Sequence, residues 1–335
     1  FFFKQKTAYE IYQCDWSSDV CSSDLNKTGA TWYLSDMGAC PSHRSWPYLD
    51  TPQSTRPLPM KQHIVCLTFD FDAQSGFISR GLTTPTPISR GEFGVVASRR
   101  ILDFLRRMGL PSTWFVPGFT IESYPQACER IVAEGHEIGH HSWAHIVPAS
   151  QTLEEESADF ERAQASIRRL TGRGAVGYRS PAWDLSPNTL DLLLQHDFLY
   201  DSSLMGDDYT PYFARRGDRA ELGHPFHFGT PTRILEMPIS WTLDDHPHFE
   251  YMRWQNTVMP GLQSPKTVMQ GWYDEFCYMQ KTTERGILTY TMHPYVIGRG
   301  YRMLWMEDWV ERLQKAGAIF MTMEQAALEH LKTSP

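Results

Sequence analysis

Short apolar runs and amphipathic segments alternate from residue 64 onward. Residues 64–69 form a nearly continuous apolar run with β-branched members, as expected of a strand buried on both faces. Residues 95–108 place Ile101, Leu102, Leu105 and Met108 on one helical face. A strand is predicted at 113–116 and a helix from 125 to 134. Thr152 and Glu155 form a capping-box pattern that opens a helix running to about residue 171. A short strand follows at 176–178. Ser186 and Pro187 offer an N-cap and a first-turn proline for a helix over 188–196, with Leu190, Leu193 and Leu194 facing inward. Further strands are expected at 198–201, 233–237, 287–291 and 318–321, with helices around 267–282 and 306–315. This βαβα order predicts an α/β fold built on a parallel sheet or barrel. In such folds functional side chains gather at the carboxyl ends of the strands.

Residues 1–59 show no such periodicity. Residues 1–25 resemble a translated sequencing-adapter read-through, and residues 26–59 are rich in Ser, Pro and Thr, as a linker or spurious upstream translation would be. The expected organisation is therefore a non-native or disordered leader over 1–59 and one domain over 60–335, with Met60 as the natural start. Three of the six cysteines, Cys14, Cys21 and Cys40, belong to that leader. Cys66, Cys128 and Cys277 are widely spaced, which suits reduced thiols in a cytoplasmic protein.

Composition narrows the function classes. The chain is 41% hydrophobic, enough to bury a core. No stretch approaches the roughly 18–20 apolar residues of a membrane span. With 31 basic and 39 acidic residues the net charge is −8, and no long basic run offers a nucleic-acid surface. Thirteen histidines in 335 residues are the first hint of chemistry.

Four constellations sit where strands are predicted to end. Asp70 and Asp72 follow the first strand and share a side by alternation if the strand continues. They could serve as metal ligand and base, or be a solvated strand end. In Gly135–His145 the spacing of His141 and His145 is i, i+4, which puts two imidazoles on one face of a helical turn. With one of the carboxylates they would make three ligands and leave an open position. His136 and His140 read as packing or hydrogen-bonding residues. Arg179 follows the 176–178 strand and could clamp a carboxylate, or lie on the surface. His293, before Pro294, could be a general acid or a buried structural histidine.

Taken together, the order of aspartates, His-Ser-x-x-His, Arg-x-Pro and a late His-Pro resembles the polysaccharide deacetylase family, also called NodB-homology proteins or family 4 carbohydrate esterases. The resemblance spans roughly residues 64–318. It implies a distorted seven-stranded (β/α) barrel and a hydrolase of non-peptide carbon–nitrogen bonds. It further implies that Asp72, His141 and His145 bind one divalent metal, that Asp70 is the base, that Arg179 orients it and that His293 protonates the leaving nitrogen. The backbone N–H near Ala182 would help hold the oxyanion. Zinc suits one Asp and two His, and cobalt, nickel or manganese would also fit.

The family pattern has adjacent aspartates, whereas Phe71 separates them here. That spacing, and the segments 88–94 and 293–299, resemble an intracellular peptidoglycan-deacetylase-like branch close to metal-independent allantoinases and cyclic-imide hydrolases. The branch implies a homo-oligomer, often a tetramer, and a sugar amide or small-molecule amide as substrate. Two other readings stand beside it: an allantoinase-like or imidase enzyme working without metal, and a non-catalytic carbohydrate-binding protein. Trp183 leads the candidate pocket aromatics, ahead of Tyr209, Tyr212, Phe213, Trp241 and Trp305. Residues 206–229 read as a lid or oligomer contact. Asp244, His246 and His248 read as a solvated loop.

Overall fold

A computed structural model describes residues 61–254, 257–259 and 261–333, all within the compact unit Pro57–Pro335. The leader expected over residues 1–59 lies outside the described residues. In chain order the elements are β1 (Gln62–Asp70), α1 (Ser75–Ile78), α2 (Pro85–Met108), β2 (Thr113–Val116), α3 (Gly118–Ser123), α4 (Pro125–Ala133), β3 (Glu137–His140) and α5 (Leu153–Thr171). There follow β4 (Gly177–Tyr178), α6 (Thr189–Gln195), β5 (Tyr200–Asp201), β6 (Tyr212–Arg216), β7 (Thr230–Glu236), α7 (Asp245–Phe249), β8 (Met252–Trp254) and β9 (Thr257–Met259). The last are α8 (Pro265–Thr282), β10 (Arg285–Met292), α9 (Pro294–Ile297), α10 (Gly300–Lys315), β11 (Ile319–Phe320) and α11 (Met323–Thr333).

The main sheet runs β10-β1-β2-β3-β4-β5-β7, seven strands in parallel, with β6 antiparallel on the β7 edge and β11 also pairing β1. This is the distorted seven-stranded (β/α) barrel that the resemblance implies. Strands β8 and β9 form a separate hairpin.

Strand β1 shows how the sequence builds the barrel. From His63 on, every residue is buried, so both faces are covered. Val65, Leu67 and Phe69 point outward into the main helical core. Ile64 and Cys66 point inward, with Phe115, Tyr200, Leu235, Ile287 and, from α11, Met323, Ala326 and Ala327. The period-2 alternation continues with Thr68 and Asp70, so the interior changes from apolar at the foot to polar at the rim. Helix α11 closes the foot: Met323 N donates to Thr113 Oγ1 at 2.8 Å and Glu324 N donates to Glu137 Oε2 at 3.0 Å. No helix among the described residues is long and apolar enough to cross a membrane.

Several helix boundaries differ from those predicted. Helix α2 begins at Pro85 rather than 95, with proline in its first turn, and glycines further along let it pack closely. A Cβ on Gly91 would meet the Ala73 carbonyl oxygen, and one on Gly94 would press on the Phe71 ring at 3.3 Å. Helix α10 likewise starts at Gly300, not 306. The capping box of α5 is present, with Glu155 N on Thr152 Oγ1 and Thr152 N on Glu155 Oε2. Helix α6 starts at Thr189. Ser186 Oγ still accepts from Asn188 N and Thr189 N, but Leu192 and Leu193 are the fully buried leucines, while Leu190 and Leu194 are half-buried.

Candidate active site

The predicted site residues converge at the carboxyl rim of the sheet. Strand β1 ends at Asp70. Phe71 is buried against Trp114, with ring centroids 6.0 Å apart, and this returns Asp72 to the side Asp70 occupies. Both carboxylates meet His141: its Nε2 lies 3.4 Å from Asp72 Oδ1 and 3.9 Å from Asp70 Oδ2. His145 Nε2 lies 3.4 Å from Asp72 Oδ2. Potential ligand atoms of Asp72, His141 and His145 all fall within 4.8 Å of one another.

The two histidines are not on a helical turn, contrary to the spacing argument. Residues 141–147 are a loop after β3, with Ser142 and His145 at φ of 58° and 57°. The loop is held from α5, where the Asp159 carboxylate accepts from Trp143 N at 2.7 Å and Ala144 N at 3.0 Å. Ser142 Oγ accepts from His145 N at 2.8 Å. His141 Nδ1–H donates to the Arg179 carbonyl at 2.7 Å, which fixes the tautomer and leaves the Nε2 lone pair toward Asp72. His140 packs as expected: it stacks on Phe160 and bonds its carbonyl at 3.0 Å, and burial pushes its pKa down to about 3. His136 lies 3.0 Å from Ser112 Oγ.

Arg179 is fully buried and makes five polar contacts. Nη1 donates to Asp70 Oδ1 and to Thr68 Oγ1, both at 2.8 Å. Nε and Nη2 donate to the Ser202 carbonyl and hydroxyl at 3.2 and 3.0 Å, and Nη2 approaches Met323 Sδ at 3.9 Å. The guanidinium also lies 4.2 Å from the centre of the Phe115 ring. Beyond it, Ala182 and Trp183 occupy consecutive left-handed conformations, φ 54° and 56°. Such a pair in non-glycine residues is strained. Ala182 is exposed, and Trp183 is buried under Trp241, with ring centroids 4.1 Å apart.

His293 directly follows β10, and its Nε2 lies 3.9 Å from Asp72 Oδ2. Its partners were missed in the sequence. Asp245 accepts from both His293 N and Nδ1, the latter at 2.8 Å, and Asp244 Oδ1 lies 3.6 Å from Nδ1. The reading of Asp244, His246 and His248 as solvated loop is therefore corrected for Asp244 and His246, and Asp245 joins them. Asp244 and Asp245 are buried, and the His246 ring lies 5.3 Å from that of His293. The only local signal was an Asp-Asp pair between Trp241 and Phe249.

A second buried acid pair, Asp201 and Glu236, went unremarked. These residues are register partners on β5 and β7. Asp201 Oδ1 accepts from Ser203 Oγ at 2.7 Å, and Ser203 Oγ accepts from Ser180 N at 2.9 Å. The pair thus reaches the Arg179 loop.

Electrostatics follow from this crowding. Burial would raise the Asp72 carboxyl, but His145, His141 and His293 outweigh it and hold it well below the usual range. Burial opposes charge on His293, yet Asp244, Asp245 and Asp72 raise it to about 10. Burial pushes His145 down to about 4 against the pull of Asp72. Burial raises both Asp244 and Asp245.

Comparison with known proteins agrees with this picture. The sequence profile of the polysaccharide deacetylase family matches residues 58–200. A peptidoglycan deacetylase of Helicobacter pylori is 33% identical over 289 residues, covering 82% of this chain and 98% of that protein. A peptidoglycan deacetylase-like protein of Gibberella zeae is 25% identical over 296 residues, covering 80% of this chain and 86% of that protein. A Mycobacterium smegmatis structure assigned to the polysaccharide deacetylases superposes with TM-score 0.71 at 27% identity, over 85% of this chain and 96% of that one. PuuE allantoinase shares the fold, with TM-score 0.63 at 18% identity, over 85% of this chain and 99% of that one.

Fold and comparisons define a barrel hydrolase of carbon–nitrogen bonds other than peptide bonds. The chain belongs to the polysaccharide deacetylase, or NodB-homology, family.

Proposed function

We propose that residues 60–335 form a metal-dependent deacetylase or amidohydrolase that removes an acyl group from an N-acetylated sugar or small amide. The observation that carries this reading is Asp72 Oδ1. It is buried, has no hydrogen-bond partner, and faces the His141 Nε2 lone pair. An orphaned carboxylate oxygen beside two imidazole nitrogens fits a divalent cation held by Asp72, His141 and His145. The donor set suits zinc, with cobalt, nickel and manganese also matching it. A bound cation supplies Lewis-acid polarisation of the acyl carbonyl and acidification of water.

The remaining steps belong to the chain's own groups. Asp70 Oδ2 takes the proton of the attacking water, while Arg179 Nη1 holds Oδ1 and fixes the carboxylate plane. His293 carries a proton at Nε2 for the departing nitrogen, because Asp245 occupies Nδ1. Ala182 presents its backbone beside the Arg179 loop, where an N–H can meet the developing oxyanion. Trp183, covered by Trp241, walls this side of the site.

The test is a hydrolysis screen across N-acetylated sugars, cyclic imides and ureides, with metal-loaded and chelated protein. Wild type should bind about one cation per chain and lose activity on chelation, and Asp70→Asn should be inactive. Full activity in chelated His141→Ala protein would overturn the reading in favour of a metal-independent imidase. Among the described residues Cys66, Cys128 and Cys277 form no disulfide, which supports a reducing, cytoplasmic setting. A homo-oligomer remains our expectation for sedimentation to check.

A further inference from the structure

A wall of aromatic rings leads from His293 to two arginines. The rings of His293 and Tyr295 have centroids 6.0 Å apart, and Tyr295 meets Phe77 edge-on at 5.4 Å. The guanidinium carbons of Arg80 and Arg90 lie 5.5 and 5.6 Å from the centre of the Phe77 ring. The two cations are not equivalent. Arg90 Nη2 pairs with Glu250 and donates to the Tyr251 carbonyl at 2.8 Å. Arg80 is tied down by Nε alone, which donates to the Gly76 carbonyl at 2.6 Å. Among the described residues no carboxylate or carbonyl takes Arg80 Nη1 or Nη2.

Gly76 lies between Arg80 and the proposed cation ligands. A methyl group added there would stand 3.6 Å from Arg80 Nη2, from Asp72 Oδ2 and from His145 Cε1 alike. Arg80 is exposed, and the edge of its guanidinium that no described residue takes therefore lies around Gly76 from two of the proposed cation ligands. Two positive charges so placed repel each other, and an anionic group lying near both relieves the repulsion. A guanidinium with two free nitrogens also matches a carboxylate in shape, through paired parallel hydrogen bonds.

We propose that Arg80 recognises a carboxylate on the substrate, so that the amide cleaved here carries an anionic group a few bonds from the scissile carbonyl. This rests on the amide-hydrolase reading above and adds the substrate class. It makes Arg80 a specificity-determining residue. Arg80 lies outside every motif and turns back toward the site only through the α1 turn, so no local pattern marks it.

The experiment uses matched pairs that differ by one charge: N-acetylmuramic acid against N-acetylglucosamine, and N-acetyl-β-alanine against its primary amide. Metal-loaded wild type should favour the acid of at least one pair by about 10–100-fold in kcat/KM, the worth of hydrogen bonds to a charged group. Arg80→Gln should collapse that ratio toward one, chiefly through KM, and Arg80→Lys should recover part of it. Calorimetric titration of the same compounds into Asp70→Asn protein, with and without Arg80→Gln, reads recognition without turnover. Wild type without acid preference, or Arg80→Gln lowering both members of a pair equally, overturns the proposal and leaves the hydrolase reading intact. If nothing is cleaved, the hydrolase reading falls, and the titration still decides: equal affinity for acid and neutral members overturns the role of Arg80.

Discussion

Arg179 Nη1 donates to Asp70 Oδ1 at 2.8 Å, with both side chains sealed from solvent. The pair joins the ends of β1 and β4 and sets the orientation of the proposed base. Removing one partner of a buried ion pair leaves the other uncompensated. Arg179→Ala should therefore cost about 3–5 kcal/mol in urea unfolding and abolish turnover. Asp70→Asn keeps a hydrogen-bond acceptor for Arg179. It should lose activity by at least about 100-fold with a smaller stability change. Equal destabilisation by the two variants would argue that Asp70 is mainly structural.

The Asp72, His141 and His145 cluster predicts a stabilisation by cations. A ligand that binds only the native state at 100 times its Kd adds about 2.7 kcal/mol. Thermal unfolding of wild type should shift upward with added zinc, and the shift should vanish in His141→Ala and His145→Ala. Bound metal per chain, measured on dialysed protein, should fall from about one to near zero in parallel. A zinc-dependent shift that survives in both variants would place the cation elsewhere.

The Asp201–Glu236 pair predicts a pH dependence of stability. Burial pushes Asp201 up to about 6, and burial together with repulsion from Asp201 holds Glu236 well above the carboxylate range. The native pair thus keeps a proton that the unfolded chain releases near pH 4. Stability from this source is present below that pH and is lost as pH rises from about 4 through about 6 for Asp201 and on through the higher value of Glu236. Glu236→Gln removes a protonation site while its amide can still donate to Asp201. Compared with wild type, it should be relatively more stable at pH 8 than at pH 5. The same pH 5 to pH 8 difference in both proteins, read from urea unfolding, would count against a shared proton.

Met323 links the foot of the barrel to the site, because its sulfur lies under Arg179 Nη2. Met323→Ala opens a cavity in the barrel interior and should cost about 2–5 kcal/mol. By loosening Arg179 it should also lower kcat more than it raises KM. Met323→Leu conserves volume and should cost less than about 1.5 kcal/mol with kcat largely restored. A kcat unaffected by the alanine variant would uncouple α11 from the site.

Local pattern already carried the βαβα order, the buried strand at 64–69, the capping box at Thr152 and Glu155, and the positions of Asp70, Asp72, His141, His145, Arg179 and His293 at or just after strand ends. These are local properties: a period of two or 3.6, a cap three residues from its partner, a polar residue closing an apolar run. The i, i+4 spacing of His141 and His145 singled out two residues that do come together, but not on a helix. A loop pinned by Asp159 brings them together, not a helical turn. Which groups stand behind those residues follows from long-range packing. Asp245 meets His293 across 48 residues and Arg179 meets Asp70 across 109. Asp201 pairs with Glu236 through strand register, and Arg80 comes around Gly76 from Asp72 and His145. Such contacts depend on how distant strands align and on how a short turn folds back. No local pattern of hydrophobic and polar residues records either.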